Sequence, residues 1–229
     1  MKKTKIDWCD CTINPVIGCK NGCEYCYAEK INDRFKFIPC WKEPQFFEDR
    51  LLQLKSKKPK SVFIDSMSDI GWWEDEWLEK TLVAMNNNCQ HKYIALTKMD
   101  CDDLCRKIVN IVNYHKLFAF DFYVGKSITT QKQWDNCFDN ESVDFLSIEP
   151  LLEPINLYEV GHCIKQIIIG AETGTRKDKV IPKKEWVDNI VKFCNENNIK
   201  VFMKESLREI MGEDFRQDKL LWDIGDIND

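Results

Sequence analysis

The chain is 229 residues long, and its 44% apolar and 31% charged residues are typical of a soluble globular protein. With 33 basic and 38 acidic residues it carries a formal net charge of -5, which excludes a surface coated in positive charge for nonspecific nucleic-acid binding. A local basic groove is still compatible with this charge. Because α/β folds of this length commonly form one unit, we expect a single domain over residues 1–229.

The N-terminal segment has two lysines but no apolar stretch behind them, and no run reaches the length of a membrane span. We therefore predict a cytoplasmic protein with no membrane partner. The chain contains 12 cysteines, which in a protein of this kind are expected to be reduced thiols and not a disulfide framework.

Short apolar runs alternate with amphipathic stretches, a pattern that predicts βα units and a parallel sheet. The predicted strands, in chain order, are Lys5 to Ile13, Ser61 to Ile64, Tyr93 to Leu96, Leu117 to Val124, Val143 to Ile148, Gln166 to Ile169 and Ile199 to Met203. Helices are predicted from Glu24 to about Phe35, weakly from Phe46 to Leu54, and over a segment that carries Trp73 to Met85. A fourth helix runs from Cys101 to Asn113, with Asp100 as its cap. A fifth carries Trp134 and begins at Thr129 or Thr130, and a sixth begins at Pro182 and ends at Asn197.

Polar or ionisable side chains follow nearly every predicted strand. In parallel α/β folds the carboxyl ends of the strands form the ligand-binding face, so we expect these groups to converge on one mouth. The simpler reading, that strand ends must turn polar somewhere, accounts for any single case. The groups are Ser66 with Asp69, Lys98, Ser127, Glu149, Glu172 and Lys204.

One dense basic run precedes the second predicted strand. Such a run is most often a solvated face, and we predict that role for it. It consists of Lys55, Lys57, Lys58 and Lys60.

Three cysteines, Cys19, Cys23 and Cys26, follow the first predicted strand with the spacing C-x3-C-x2-C. Asn21-Gly22 is a turn dipeptide, so the first two thiols are predicted to lie on a loop that folds around one point. Three thiolates close together form a natural metal site. They are one short of a closed zinc site or a fully ligated iron-sulfur cluster, and an open position indicates chemistry at the metal.

Two alternative roles for these cysteines stay open. They could pack on one face of a helix, although Gly18, Asn21 and Gly22 oppose a continuous helix. They could also hold a structural zinc ion with a fourth thiolate. The thiolates available for that role are Cys9, Cys11 and Cys40, since the histidines His91, His115 and His162 lack metal-ligand spacing.

The cysteine motif, with Tyr25 just before its last cysteine, resembles the cluster motif of the radical S-adenosylmethionine enzymes. The run from Ile6 to Cys19 and the segment from Cys23 to Glu29 look like the phage-associated three-cysteine branch of that superfamily. Further segments resemble the same branch, in its order: Ser66-Met67-Ser68-Asp69, Leu96-Thr97-Lys98, Ser147-Ile148-Glu149-Pro150-Leu151-Leu152 and Gly170-Ala171-Glu172-Thr173-Gly174.

The resemblance implies a partial (β/α)6 TIM-like barrel with the cluster loop after strand one and an additional C-terminal strand. It implies a 4Fe-4S cluster on three thiolates, with S-adenosylmethionine bound to the fourth iron. An external electron donor of the flavodoxin or ferredoxin type would reduce the cluster, which then cleaves the sulfonium to methionine and a 5′-deoxyadenosyl radical that abstracts hydrogen from the substrate. This logic agrees with the residues alone, because thiolates suit iron and three leave one iron open.

By position in the resemblance, Cys19, Cys23 and Cys26 are the metal ligands. Tyr25 would contact the adenine, and Ser66, Ser68 and Asp69 would face the methionine amino group. Ser127 and Glu149 would suit the ribose or the carboxylate. Glu172 and Lys204 are assigned to the substrate side as catalytic residues.

Three classes of function follow. The phage association favours a radical enzyme that modifies a nucleoside, nucleotide or nucleic acid. The second class is a radical enzyme for a small molecule or peptide. The third is a non-catalytic zinc or iron-sulfur protein that binds a partner.

Overall fold

The structure is a computed structural model that describes residues 2–117, 120–136, 143–158, 164–174 and 176–224. The strands in this part of the chain are β1 Lys2–Lys3, β2 Cys11–Thr12, β3 Val16–Ile17, β4 Gln45–Phe46, β5 Ser61–Phe63, β6 Lys92–Thr97, β7 Asp121–Ile128, β8 Phe145–Ile148, β9 Gln166–Ile169 and β10 Lys200–Met203. The α-helices are α1 Tyr27–Phe35, α2 Asp75–Asn86, α3 Cys101–His115, α4 Gln131–Asp135, α5 Lys184–Glu196 and α6 Arg208–Met211, and short 3-10 helices cover Glu48–Lys55, Ile70–Trp72, Glu205–Leu207 and Gly212–Asp214.

The chain divides into two compact units, the first made of residues 1–124 and 222–229 and the second of residues 125–221. The boundary falls within β7. In the first unit, β2, β5 and β6 run parallel, and β1 pairs antiparallel with β2. A separate antiparallel pair, β3 with β4, flanks the cysteine loop and α1 in the sequence.

The second unit contains the carboxyl half of β7 followed by β8, β9 and β10, all parallel. Ile167, Ile168 and Ile169 of β9 are fully buried, as expected for a strand covered on both faces. Helix α5 turns Val187 and Ile190 inward. Within each unit the parallel strands are ordered as they follow in the chain, which is the order that successive βα units produce.

The predicted α/β class with a parallel sheet is therefore confirmed. Most predicted elements occur, and Gln166–Ile169 has the predicted bounds. Asp100 caps α3 and Thr130 caps α4 with their side chains, as predicted. The single domain over residues 1–229 stays a prediction. None of the helices within the described ranges is long and apolar enough to span a membrane.

The first predicted strand, Lys5 to Ile13, is wrong for most of its length, since only Cys11–Thr12 forms a strand there. Asp10 explains the late start. Its carboxylate accepts hydrogen bonds from the Ser61 backbone N–H at 2.8 Å and from the Ser61 hydroxyl at 3.0 Å. Because a side chain occupies the place of a ladder partner, regular pairing with β5 begins only at Cys11.

The fourth predicted strand, Leu117 to Val124, is displaced, because the observed β7 covers Asp121–Ile128. The prediction places Ser127 in the loop after this strand, and it lies instead inside the strand opposite Ser147. Gly125 is the residue that makes the sequence look like a turn at this point. A Cβ there would lie 2.4 Å from the Phe145 ring, so the glycine makes room for a side chain of β8 and does not mark a turn.

Candidate functional site

The cysteine loop begins at Gly18, whose surroundings leave no space for a side chain. Gly18 donates its N–H to the Met67 carbonyl at 3.0 Å, and Cys19 donates to the Trp41 carbonyl at 2.9 Å. At Gly18 the φ angle is +109°, and a Cβ would lie 2.8 Å from both the Pro44 Cα and the Trp41 carbonyl oxygen. A glycine is therefore required where the loop leaves β3.

The three predicted ligands are all on this short loop. Cys19 is buried in an apolar cluster with Trp41 and Met67, and Cys26 packs against the same cluster. Cys26 donates its N–H to the Cys23 carbonyl at 3.0 Å. Burial raises the pKa of Cys19 to about 12, and negative charge at Asp69, Cys23 and Cys26 adds to this shift.

Two of the sulfurs accept backbone hydrogen bonds. Asn21 donates its N–H to Cys19 Sγ at 3.5 Å, and Glu29 donates to Cys26 Sγ at 3.4 Å. Cys26 is thus the N-cap of α1, which explains why the helix begins at Tyr27 and not at Glu24. A helix N-terminus and N–H donors both favour a sulfur that carries negative charge.

Asp69 connects the cysteine loop to the ends of β5 and β6. One carboxylate oxygen accepts from Asn21 Nδ2 at 2.6 Å and from the Lys98 N–H at 2.9 Å. The other accepts from Thr97 Oγ1 at 2.7 Å and from the Gly71 N–H at 2.9 Å. With four donors of the chain on a side chain that is only 4% exposed, Asp69 positions the loop. Its predicted contact with a methionine amino group stays a prediction.

A second carboxyl group, Asp65, lies beneath Asp69. It is buried and accepts backbone hydrogen bonds from Ile70 and Leu96, each at 3.2 Å. Burial raises the pKa of Asp65 well above its usual value, and the charge of Asp69 raises it further. The two acids therefore differ in character: Asp69 has strong donors around it, whereas the ionised form of Asp65 is disfavoured.

The other residues predicted for cofactor binding in this unit are partly buried and already in contact with the chain. Ser66 donates its hydroxyl to Asn14 Oδ1 at 3.0 Å, and Ser68 Oγ accepts from Trp73 Nε1 at 3.0 Å. The Lys98 ammonium lies 5.6 Å from the centre of the Tyr25 ring, a distance typical of a cation–π contact.

In the second unit, Glu149 and Lys204 form an ion pair. The pair lies over Gly170, where a Cβ would come within 3.0 Å of Lys204 Cδ and 3.1 Å of Glu149 Cγ. These residues belong to the ends of three neighbouring strands, β8, β9 and β10. Two of the strand-end groups predicted to converge, Glu149 and Lys204, therefore contact each other directly.

Glu172, which follows β9, is held by Arg176 in a two-bond pair, with both nitrogen–oxygen distances at 2.7 Å. The Val180 N–H donates to the same carboxylate at 3.3 Å. The Glu172 side chain is only 3% exposed, whereas that of Arg176 is 25% exposed. Arg176 therefore holds the buried Glu172 carboxylate through two hydrogen bonds, and solvent reaches this pair mainly at Arg176.

Among the described residues, no three His, Cys, Asp or Glu side chains are already arranged to hold a metal ion. The fit of a metal to Cys19, Cys23 and Cys26 therefore rests on the chemistry of the donors. Cys11, one candidate for a fourth thiolate, is buried in a core cluster and directs its thiol to the Ser61 carbonyl at 3.8 Å. That placement disfavours Cys11 as a zinc ligand.

A family model matches residues 3–214, which is most of the chain, and its description is protein of unknown function, DUF5131. The chain belongs to the DUF5131 family. No curated protein and no solved structure matches it.

The DUF5131 match includes the cysteine loop and the strand ends of both units. Within it, sequence reasoning misses four residues that hold the predicted site residues in place. The sequence marks Asn21 only as a turn former, although its side chain also accepts a hydrogen bond from Trp72 Nε1 at 2.6 Å. Asn14 and Gly170 lie in segments that resemble the radical S-adenosylmethionine family, but their partners are visible only in the fold. Arg176 carries no sequence signal.

Proposed function

We propose that this chain is a radical S-adenosylmethionine enzyme whose 4Fe-4S cluster is held by Cys19, Cys23 and Cys26. The observation that carries the proposal is the cysteine loop itself. The loop carries three cysteines within eight residues, and Cys19 and Cys26 contact the same apolar cluster. Their two sulfurs also accept backbone N–H bonds. Thiolate sulfur is the ligand that iron-sulfur clusters use, and N–H donors to the sulfurs are among the contacts that tune them.

When bound, the cluster would supply the electron that cleaves S-adenosylmethionine to methionine and the 5′-deoxyadenosyl radical. The chain's own residues would hold the cluster and orient its three thiolate ligands. Gly18 allows the tight departure from β3, and the Asn21 side chain ties the loop to Asp69. Glu29 supplies its N–H to Cys26 at the start of α1. A rigid loop of this kind keeps three thiolates directed at one point.

The remaining residues have proposed roles around the cofactor. Tyr25 would contact the adenine, Ser66, Ser68 and Asp69 the methionine amino group, and Ser127 and Glu149 the ribose or carboxylate. The ion pair of Glu149 with Lys204 supports a role in which Lys204 orients the Glu149 carboxylate. Glu172 and Lys204 are proposed for the substrate side, with Arg176 as the group that positions Glu172.

We further propose that the chain forms one domain with a partial (β/α)6 TIM-like barrel and that the protein is cytoplasmic. The strand order within each unit supports the barrel. The ten cysteines in the described part of the chain form no disulfide with one another, which suits a reducing compartment. We propose a nucleoside, nucleotide or nucleic acid as substrate and a flavodoxin or ferredoxin as electron donor.

The proposed function is tested by anaerobic reconstitution with iron and sulfide, followed by dithionite and S-adenosylmethionine. We expect 5′-deoxyadenosine and methionine to form together, as measured by chromatography with mass detection. A chain that carries its cluster and forms neither product contradicts the proposed activity. Zinc bound in place of iron, with no cluster absorbance after reconstitution, would instead identify a structural zinc protein.

Glu149→Ala should weaken S-adenosylmethionine binding about tenfold, equivalent to ~1.4 kcal/mol, since it removes a carboxylate from the proposed cofactor site. The iron content should not change. Isothermal titration of the reconstituted protein measures the affinity, and Glu185→Ala, which removes an exposed acid of α5, is the matched control. Equal affinity in both variants would remove Glu149 from the cofactor site.

A further inference from the structure

A cavity of about 470 Å³ lies in the first unit, at the amino ends of β2 and β5. Lys5, Lys58 and Lys60 line it, together with Cys9, Asp7 and Asp10. The cysteine loop and the segment that contains Asp69 follow strands of the same unit at their carboxyl ends. Because β2 and β5 are parallel, the cavity lies at the opposite edge of this sheet from the cysteine site, and the function proposed above makes no use of it.

The positive and negative side chains that line the cavity do not balance. Asp10 accepts hydrogen bonds from the Ser61 N–H and hydroxyl, two neutral donors that leave its negative charge in place. Lys5, Lys58 and Lys60 make no ion pair with any residue that the structure describes. Counted over the residues that line the cavity, three ammonium groups face the two carboxylates of Asp7 and Asp10, so one positive charge is in excess.

The overall charge of the chain does not explain this concentration, because the chain is acidic, with a net charge of -5. The excess positive charge of the lining attracts an anion, and an anion with several charges can interact with more than one of the three ammonium groups. Lysine ammonium groups bind phosphate as point charges. The cavity also has a volume in the range of small-ligand sites, roughly 300–1,000 Å³, which accommodates two linked phosphates.

We propose that this cavity binds a ligand with adjacent phosphate groups, held by Lys5, Lys58 and Lys60. A free nucleotide and the backbone of a nucleic acid share this chemistry. The basic run of the sequence then has two parts with different roles. Lys58 and Lys60 line the cavity, whereas Lys55 and Lys57 do not; Lys55, Lys57 and Lys58 are all exposed.

The division of the run provides a matched pair of variants. The double variant K58Q and K60Q removes two charges that line the cavity, and the double variant K55Q and K57Q removes two charges from the same segment outside it. Titration calorimetry of the metal-free full chain with inorganic pyrophosphate should show at least a tenfold weaker affinity for the first variant and less than a twofold change for the second. Equal loss in both variants, or no binding by the unaltered chain, overturns the proposal.

Alkylation of Cys9 tests independently where the ligand binds, because Cys9 lines the cavity and is partly exposed. Pyrophosphate should slow the alkylation of Cys9 by iodoacetamide, followed by peptide mass mapping, and should leave the exposed Cys89 unaffected. Protection of neither or of both cysteines contradicts binding in this cavity. Both tests use protein without a cluster, so their outcome is independent of the proposed radical chemistry.

The source of the phosphates is distinguished by comparing ATP with a single-stranded oligonucleotide in the same calorimetric assay. Tighter binding of ATP assigns the cavity to a nucleotide. Tighter binding of the oligonucleotide, with an affinity that falls steeply as salt rises, assigns it to a nucleic-acid backbone. Failure of both to bind, or binding of either that K58Q and K60Q leave unchanged, overturns the proposal.

Discussion

Cys23→Ala is expected to abolish both the cluster absorbance and the formation of 5′-deoxyadenosine. Only two thiolates, Cys19 and Cys26, would remain on the loop, and two cannot hold a 4Fe-4S cluster with a single open iron. The loop should keep its course, because its anchors are backbone bonds of Gly18 and Cys19 and the side chain of Asn21. Iron analysis and visible absorbance after reconstitution measure the first effect, and product analysis measures the second.

Cys89→Ala is the control for this experiment. Cys89 is an exposed cysteine outside the motif, so its loss should leave iron content and product formation unchanged. A cluster that survives in Cys23→Ala, or one that is lost in Cys89→Ala, would overturn the assignment of the ligands. Cys137 and Cys163 lie outside the described residues and are therefore less suitable as controls.

Asp69→Ala should lower the free energy of unfolding by about 3–5 kcal/mol, because several buried donors lose their acceptor at a cost of about 1–3 kcal/mol each. The substitution leaves the donors of Asn21, Thr97, Gly71 and Lys98 without their acceptor. Each unsatisfied buried donor is unfavourable, so their effects accumulate. Urea denaturation of the metal-free chain measures the loss.

Asp100→Ala provides the comparison. Asp100 also accepts two backbone hydrogen bonds, but it does so as an exposed N-cap of α3, for which a loss of about 1 kcal/mol is usual. Asp69→Ala should cost clearly more than this and should also reduce the iron taken up on reconstitution, since Asn21 loses its anchor. A similar cost in both variants would mean that Asp69 does not organise the loop.

The cysteine motif is predictable from the sequence because its spacing and its turn residues are local. Asn21 and Gly22 indicate a loop, and Gly22 does adopt a positive φ of 68°. The residues that hold the loop are not predictable. Asp69 binds Asn21 across 48 positions of sequence, and no local pattern indicates which of several polar residues after β5 will be buried.

The bounds of a strand are likewise predictable where their cause is local in the sequence and not predictable where their cause is a distant residue. The β9 run of isoleucines predicts its own bounds, since a continuous apolar stretch is buried on both faces. Gly125 in β7 has the sequence appearance of a turn, although its cause is the Phe145 ring of the neighbouring strand. Similarly, the sequence predicts that Lys204 lies at a strand end. It does not predict the pairing of Lys204 with Glu149, because Glu149 lies 55 positions earlier in the chain.

The most direct test of the central claim, a cluster on Cys19, Cys23 and Cys26 with one open iron, is electron paramagnetic resonance of the reduced, reconstituted chain with and without S-adenosylmethionine. We expect the spectrum of the cluster to change when S-adenosylmethionine is added, because its amino and carboxylate groups ligate the open iron. A reduced cluster whose spectrum is the same with and without S-adenosylmethionine would contradict that claim.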